Sequence, residues 1–204
     1  MNIKKFLIIP ALIFSLTLCA CLNPNLTKDN AETLVTEFLE DFRVCNYDAM
    51  YELTHDKYQY FKGIYSSEVP TNSYMFGAFS RSMAYEVKDV SLVNGEAVVK
   101  VHISNIDAEK TLNKLAATYI QACEDDKENN LDKEDLLLQT TKFCFDDPDC
   151  DRIEHDTVFN LIEQDGKWAI ESNIMIYDDI TGGYMTYYYK NVVMKDLTDE
   201  MKGN

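Results

Sequence analysis

Three groups of residues in this sequence have the types and spacing for chemistry. Cys21 follows the small Ala20, with Leu18 three places before it. Once the Ala20–Cys21 bond is cut, a thiol in that setting can take a diacylglyceryl thioether. Cys19 is the poorer acceptor, because bulky Leu18 precedes it. Asp147, Asp149 and Asp151 alternate as Asp-x-Asp-x-Asp, and hard carboxylate oxygens at that spacing can converge on Ca2+ where the chain loops. The likeness to an EF-hand loop stops there: position six is Arg152 instead of glycine, and position twelve is Val158 instead of glutamate. A looser cation site and a solvated acidic loop both remain open. Cys144 and Cys150 flank a turn-like Phe145-Asp146-Asp147-Pro148-Asp149 and can form a disulfide outside the cytoplasm. Cys45 and Cys123 each end an apolar helical face, where a buried free thiol and a bridge are both open.

The three histidines, His55, His102 and His155, stand in no metal-ligand spacing and beside no nucleophile pattern. His102 lies opposite the Val99 stripe of its strand. With Tyr58 and Tyr60 it is a candidate for lining a pocket, a solvated strand histidine being the alternative. Tyr58, Tyr60, Tyr65 and Tyr74 cluster in an irregular stretch, and Tyr187-Tyr188-Tyr189 follow near the end. Aromatic-rich surfaces can bind glycans or apolar ligands, and core filling uses the same side chains. The chain contains no G-x-S-x-G, P-loop, CxxC or H-E-x-x-H, so no catalytic residue is assigned.

The residues before Cys21 define its setting. Lys4 and Lys5 form a short basic region, and the 15 residues from Phe6 to Ala20 carry no charge. With Leu18-Cys19-Ala20-Cys21 this is the pattern cut by the lipoprotein signal peptidase. Residues 1–20 are therefore expected to be a signal peptide, and 21–28 a lipid-anchored tether. An ordinary secretory signal shares the basic and apolar regions. An uncleaved span needs about 20 apolar residues. Two or three acyl chains, at about 0.8 kcal/mol per buried CH2, hold a protein stably at a membrane where one chain does not.

Residues 21–204 suffice for one domain with a real core. The 46% hydrophobic content fits a globular chain. Without Lys4 and Lys5 the chain has 17 basic and 35 acidic residues, a formal charge of −18. That balance disfavours nucleic acid, which needs Lys/Arg clusters, and flat docking on anionic headgroups. It suits cations, basic partners or plain solubility.

The apolar pattern places the elements. Ala31, Leu34, Val35, Phe38, Leu39 and Phe42 recur at helical spacing, predicting a helix from Asp29 to Val44 capped by Asp29 or Asn30. Tyr47–Leu53 predicts a second, short helix, and Met75, Phe76, Phe79 and Met83 a third after Pro70. Strand alternation on both sides of Asn94-Gly95 predicts a hairpin, with Val99, Val101 and Ile103 on one face. Asp107 caps a helix with the stripe Leu112, Leu115, Ala116, Tyr119, Ile120 and Cys123. A further helix spans Asp132–Cys144. A second hairpin runs from Thr157 to Ser172 through Asp165-Gly166, and a last helix follows Gly182-Gly183. The class is α+β, with helix 1 filling the concave face of a bent antiparallel sheet.

The Ala31–Phe42 stripe followed by Asn46-Tyr47-Asp48-Ala49-Met50-Tyr51-Glu52-Leu53 resembles the entrance of nuclear transport factor two-like domains. The Asn94-Gly95 hairpin, the Asp165-Gly166-Lys167-Trp168-Ala169-Ile170 segment and Thr181-Gly182-Gly183 resemble them too. The resemblance covers most of residues 29–195. It implies a cone-shaped α+β domain over 29–204, of a kind often found in bacterial lipoproteins of unknown function. It departs from minimal domains in a helical insert at about 107–150. The matching motifs are not catalytic, and fold does not fix function. The expectation is a non-catalytic module at the outer face of the cytoplasmic membrane, binding a small molecule or an envelope protein. The alternatives are a pocket enzyme of isomerase or dehydratase type and a structural envelope factor.

Overall fold

The computed structural model describes residues 27–55, 68–93, 96–126, 131–164 and 167–194. Cys21, Tyr58, Tyr60 and both expected hairpin turns, Asn94-Gly95 and Asp165-Gly166, lie outside the described residues. Helix α1 spans Lys28–Arg43. Thr27, in extended conformation, accepts from the Asn30 amide at 3.2 Å, while Asn30 Oδ1 accepts from the Thr27 amide at 2.7 Å. This reciprocal capping box corrects the expected start. The helix begins at Lys28, inside the expected tether, and Asn30 serves the cap from its third position. Ala31, Val35, Phe38, Leu39 and Phe42 are buried as the stripe requires.

Cys45 then turns the chain with φ +60°. Helix α2, Tyr47–Glu52, buries Met50 and leads into the two-residue strand β1, Thr54–His55. Helix α3, Pro70–Ser82, starts on a proline, where the missing amide costs nothing. It buries Met75, Phe76 and Phe79. Strands β2 (Ala84–Val93), β3 (Glu96–Ile106), β4 (Arg152–Gln164) and β5 (Lys167–Glu171) complete a sheet of order β1-β5-β4-β3-β2. The β2–β3, β3–β4 and β4–β5 pairs are antiparallel. β1 runs parallel to β5, so the sheet is mixed rather than wholly antiparallel. A bulge at Lys88 interrupts edge strand β2.

The inner face carries Ala97, Val99, Val101 and Ile103 of β3, all buried. Their neighbours on β4 are Leu161, Phe159, Thr157 and His155. Helix α1 lies against β2, β3 and β5 on this side. The remaining helices are α4 (Ala108–Asp125), α5 (Lys133–Phe145), α6 (Ile174–Ile180) and α7 (Tyr184–Tyr188), making seven α-helices among the described residues. The expected insert is present as α4 and α5, which pack on each other, with α5 also against α3. Asp107 caps α4 through the Lys110 amide at 3.0 Å. Asp132 caps α5 through the Glu134 amide at 2.8 Å.

The apolar stripe of α4 is less buried than its pattern suggests. Ala108, Thr111 and Leu115 are buried, but Ile120 is 61% exposed. The fully buried positions lie in the first half of the helix; in the second half Thr118, Tyr119 and Cys123 are half-buried and Ile120 faces outward. The last helix also differs from expectation. After Tyr188 the hydrogen bonding loosens into a π-turn over Tyr189–Val193. Tyr184 and Tyr188 stack at 6.2 Å, whereas Val192 falls off the stripe and is exposed.

Gly182 fixes how α6 and α7 join the sheet. Its φ is +61°, and a Cβ there would lie 1.8 Å from the Ile106 carbonyl oxygen. Its own carbonyl accepts from the Ala108 amide at 2.9 Å. Gly183 also has positive φ, at +85°, with open space around it. Gly182→Ala is therefore expected to lose about 3 kcal/mol or more in urea unfolding, and Gly183→Ala about 1 kcal/mol. Equal losses would show that backbone strain alone, without the close approach, sets the requirement.

Candidate functional site

Among the described residues, a concentration of buried polar groups lies where β3 and β4 meet α6, which leads into α7. His155 and Thr157 sit two residues apart on β4, so both face inward. Helix α6, capped by Asn173 through the Met175 and Ile176 amides, carries Asp178 and Asp179 over them. Thr157 Oγ1 donates to Asp179 Oδ2 at 2.8 Å, and His155 Nδ1 lies 3.3 Å from Asp179 Oδ1. Asp178 accepts from the Thr186 amide at 2.9 Å and from the Thr186 hydroxyl at 2.6 Å. Asn105 Nδ2 donates to the carbonyls of Phe79 and Ile180, at 3.0 and 2.6 Å, and its Oδ1 accepts from the Ile106 amide. Thr181 Oγ1 donates to the Tyr177 carbonyl at 2.6 Å. Asn105, Thr157, Asp178, Asp179 and Thr181 are all buried.

Burial pushes the Asp179 carboxyl above the ordinary carboxylate value of 3.8; the Thr157 hydroxyl and the His155 charge oppose that rise, and neighbouring Asp178 adds to it. His155 Nε2 is shielded from solvent and has no hydrogen-bond partner among the described residues. A carboxyl that holds its proton longer than usual, beside an imidazole, is the chemistry of a general acid–base pair. The adjoining space is occupied, however. Phe159 is fully buried, the next inward residue of β4 after Thr157, and Phe38 meets it edge-on at 5.8 Å. Tyr177, two residues before Asp179 on the same helix, packs on Phe38 at 6.5 Å.

The residues singled out by sequence fall elsewhere. His102 lies on the outer face of the sheet, 33% exposed, with Nδ1 2.8 Å from Asp156 and Nε2 3.7 Å from Glu154. It belongs to an acidic ladder in solvent, facing away from the core. Beside it an open hollow of about 310 Å3 is lined by Lys88, Lys100, Asp156 and Val158, among others. Another, of about 330 Å3, lies along the exposed side of α1 at Asp29, Glu32, Thr33, Thr36 and Glu37. Tyr58 and Tyr60 lie outside the described residues.

Asp147, Asp149 and Asp151 are not gathered around a common point. Asp147 pairs with Lys114, and its other oxygen accepts from the Asp149 amide at 2.9 Å. Asp151 pairs with Lys110 at 3.2 Å. Lys114 holds the Asp147 carboxyl below its ordinary range. Among the described residues no three His, Cys, Asp or Glu side chains are grouped to hold a metal ion. Cys45, Cys123, Cys144 and Cys150 are free thiols. Cys144 and Cys150, candidates for a disulfide, are unbridged, and Cys150 Sγ donates to the Cys144 carbonyl at 3.0 Å.

The inward position of His155 has a sequence signal. Strand β4 begins at Arg152, and alternation carried back from Leu161 and Phe159 puts Thr157 and His155 on their face. The contribution of Asp178 and Asp179 has no such signal, because it depends on where α6 lands. Comparison with family models, curated proteins and solved structures finds none that matches this chain.

The shift of Asp179 predicts a pH dependence. A carboxyl whose folded pKa is raised favours the folded state below its unfolded value, and that advantage is lost as pH rises through the folded value. The difference in urea midpoint, wild type minus Asp179→Asn, is thus expected to fall as pH rises from 3.8. A difference that grows with pH would mean that ion pairing to His155 outweighs desolvation.

Proposed function

We propose that this chain is a lipid-anchored extracytoplasmic binding module of nuclear transport factor two-like type, held to a membrane through Cys21. The observation that carries the proposal is Lys4-Lys5, then 15 uncharged residues, then Leu18-Cys19-Ala20-Cys21. Helix α1 is capped at Thr27, six positions after Cys21. A chain of that length reaches roughly 20 Å when extended, so anchoring would hold the body close to the bilayer. The exposed Asp29, Glu32 and Glu37 lie along the near helix, and the formal charge without Lys4 and Lys5 is −18. Both oppose adhesion to anionic headgroups and leave the anchor to supply the attachment. No described helix is long and apolar enough to cross a membrane.

Side chains fill the concave side of the sheet, which favours recognition on the outside. The outer sheet face, with Lys100, His102, Glu154, Asp156 and the half-exposed Val158, is the surface offered to an envelope protein or a small polar ligand. A pocket isomerase or dehydratase is the second reading. The His155–Asp179 pair favours it; the buried Phe159 and Phe38, which fill the same face of the sheet, weigh against it.

Cells fed labelled palmitate are expected to incorporate label into the wild-type chain and none into Cys21→Ser. The variant is also expected to keep its signal peptide and leave the lipidated membrane pool. Label in Cys21→Ser, or its absence from the wild type, overturns the anchoring.

A further inference from the structure

The turn between α5 and β4 brings two thiols onto one stretch of α4. Asp147 and Cys150 close the turn through the Cys150 amide and the Asp147 carbonyl at 3.0 Å. The Asp149 amide bonds Asp147 Oδ1 within it, and Pro148 fixes one φ. Cys150 Sγ thereby returns to 3.0 Å from the carbonyl oxygen of Cys144, in the last turn of α5. That carbonyl is one of those a helix end leaves without a helical partner, and the thiol supplies its donor. Cys144 Sγ rests 4.0 Å from Thr118 Oγ1, and Cys150 Sγ 4.0 Å from Thr111 Oγ1. Lys114 stands between those two threonines and binds Asp147; the Asp147 contact raises its ammonium pKa, with smaller contributions from both thiols. Cys144 is fully buried and Cys150 is half-buried.

We propose that Cys144 and Cys150 are a dithiol that oxidises to an intramolecular disulfide, and that the structure shows its reduced form. The backbone already places one sulfur against the other cysteine, so rotation of the Cys144 side chain away from Thr118 brings the sulfurs together. The oxidant is a small-molecule or protein disulfide. The Cys150 thiolate, the more exposed of the two, attacks it, forming a mixed disulfide and expelling one thiolate. The Cys144 thiolate then attacks the Cys150 sulfur, forming the Cys144–Cys150 bond and expelling the second thiolate. The cysteines are oxidised, the oxidant is reduced to two thiols, and the two protons leave with it. Burial pushes the Cys150 thiol above its ordinary pKa, so exchange is slow at neutral pH and quickens as pH rises.

The bridge joins the end of the helical insert to the start of β4. The other end of the insert is already tied there, since the Asp107 amide donates to the Asp151 carbonyl at 2.8 Å. Tyr74 of α3 reaches the same turn through Asp146. Oxidation therefore fixes the insert onto the body. Oxidation in the cell rests on the proposed export, because the cytosol keeps thiols reduced; the chemistry itself does not.

The test uses the purified full chain, reduced and then incubated with oxidised glutathione, unfolded, alkylated and cut with trypsin. Residues 143–152, between Lys142 and Arg152, form one peptide that holds both cysteines. It is expected to carry no alkyl group and to be lighter than the reduced peptide by two hydrogen atoms. The melting temperature is expected to rise by roughly 5 °C on oxidation. The Cys45→Ser/Cys123→Ser variant should behave identically, and Cys144→Ser should stop at the glutathione adduct of Cys150. Two alkyl groups on this peptide after oxidation, or its crosslinking to peptides bearing Cys45 or Cys123, overturns the proposal. Both results are independent of whether Cys21 carries lipid.

Discussion

Phe38 stands between the sheet and the C-terminal helices, with Phe159 edge-on at 5.8 Å on one side and Tyr177 at 6.5 Å on the other. Its stripe partners Ala31, Val35, Leu39 and Phe42 are fully buried around it. Full burial of a large apolar side chain is worth about 1.5–3 kcal/mol, so this helix is a principal source of the molecule's stability. It also determines what the concave face can do. An antiparallel sheet can leave one face to solvent if the other is covered. Here the covered face is the concave one, and its filling is aromatic.

The polar groups beneath that filling follow from the same packing. Laying α6 across β3 and β4, with α7 against α6 and α4, buries backbone carbonyls and strand side chains that need partners. Asn105 satisfies two of those carbonyls, Asp178 holds the start of α7, and Asp179 closes on Thr157 and His155. Gly182 permits the close approach. A carboxyl and an imidazole left at such a seam resemble catalytic groups in chemistry, while their surroundings are those of a joint between layers.

The long periodic elements are legible in the sequence because their patterns run over several turns or pairs. The Ala31–Phe42 stripe and the Val99–Val101–Ile103 alternation each specify a buried face without outside help. Shorter elements are less so. Seven-residue α6 owes its helix to tertiary burial rather than to periodicity, so Asp178 and Asp179 carry no mark of their role. The cap at Thr27 competes with Asp29 and Asn30, all of cap-forming type, and only the reciprocal bond of Asn30 decides it. The α4 stripe is wider than the face its neighbours cover: Leu115, Tyr119 and Cys123 are turned toward them, while Ala116 and Ile120 at its edge are exposed. His102 sits on the outward phase of its strand as its position requires; sequence does not say which face of the sheet is concave.

Under the proposed function, the anchor, the filled interior and the open outer face make one picture: a body held at a membrane, with recognition on its surface. That picture depends first on the interior being packed. The unfolding free energy of Phe38→Ala measures this most directly. A ring locked in a dry core is expected to cost 3–5 kcal/mol when removed, with the variant gaining a thermal shift from a small apolar ligand such as benzene. A loss under about 1 kcal/mol, together with benzene stabilising the wild type equally, would mean that Phe38 lines open space and that the concave face is a pocket.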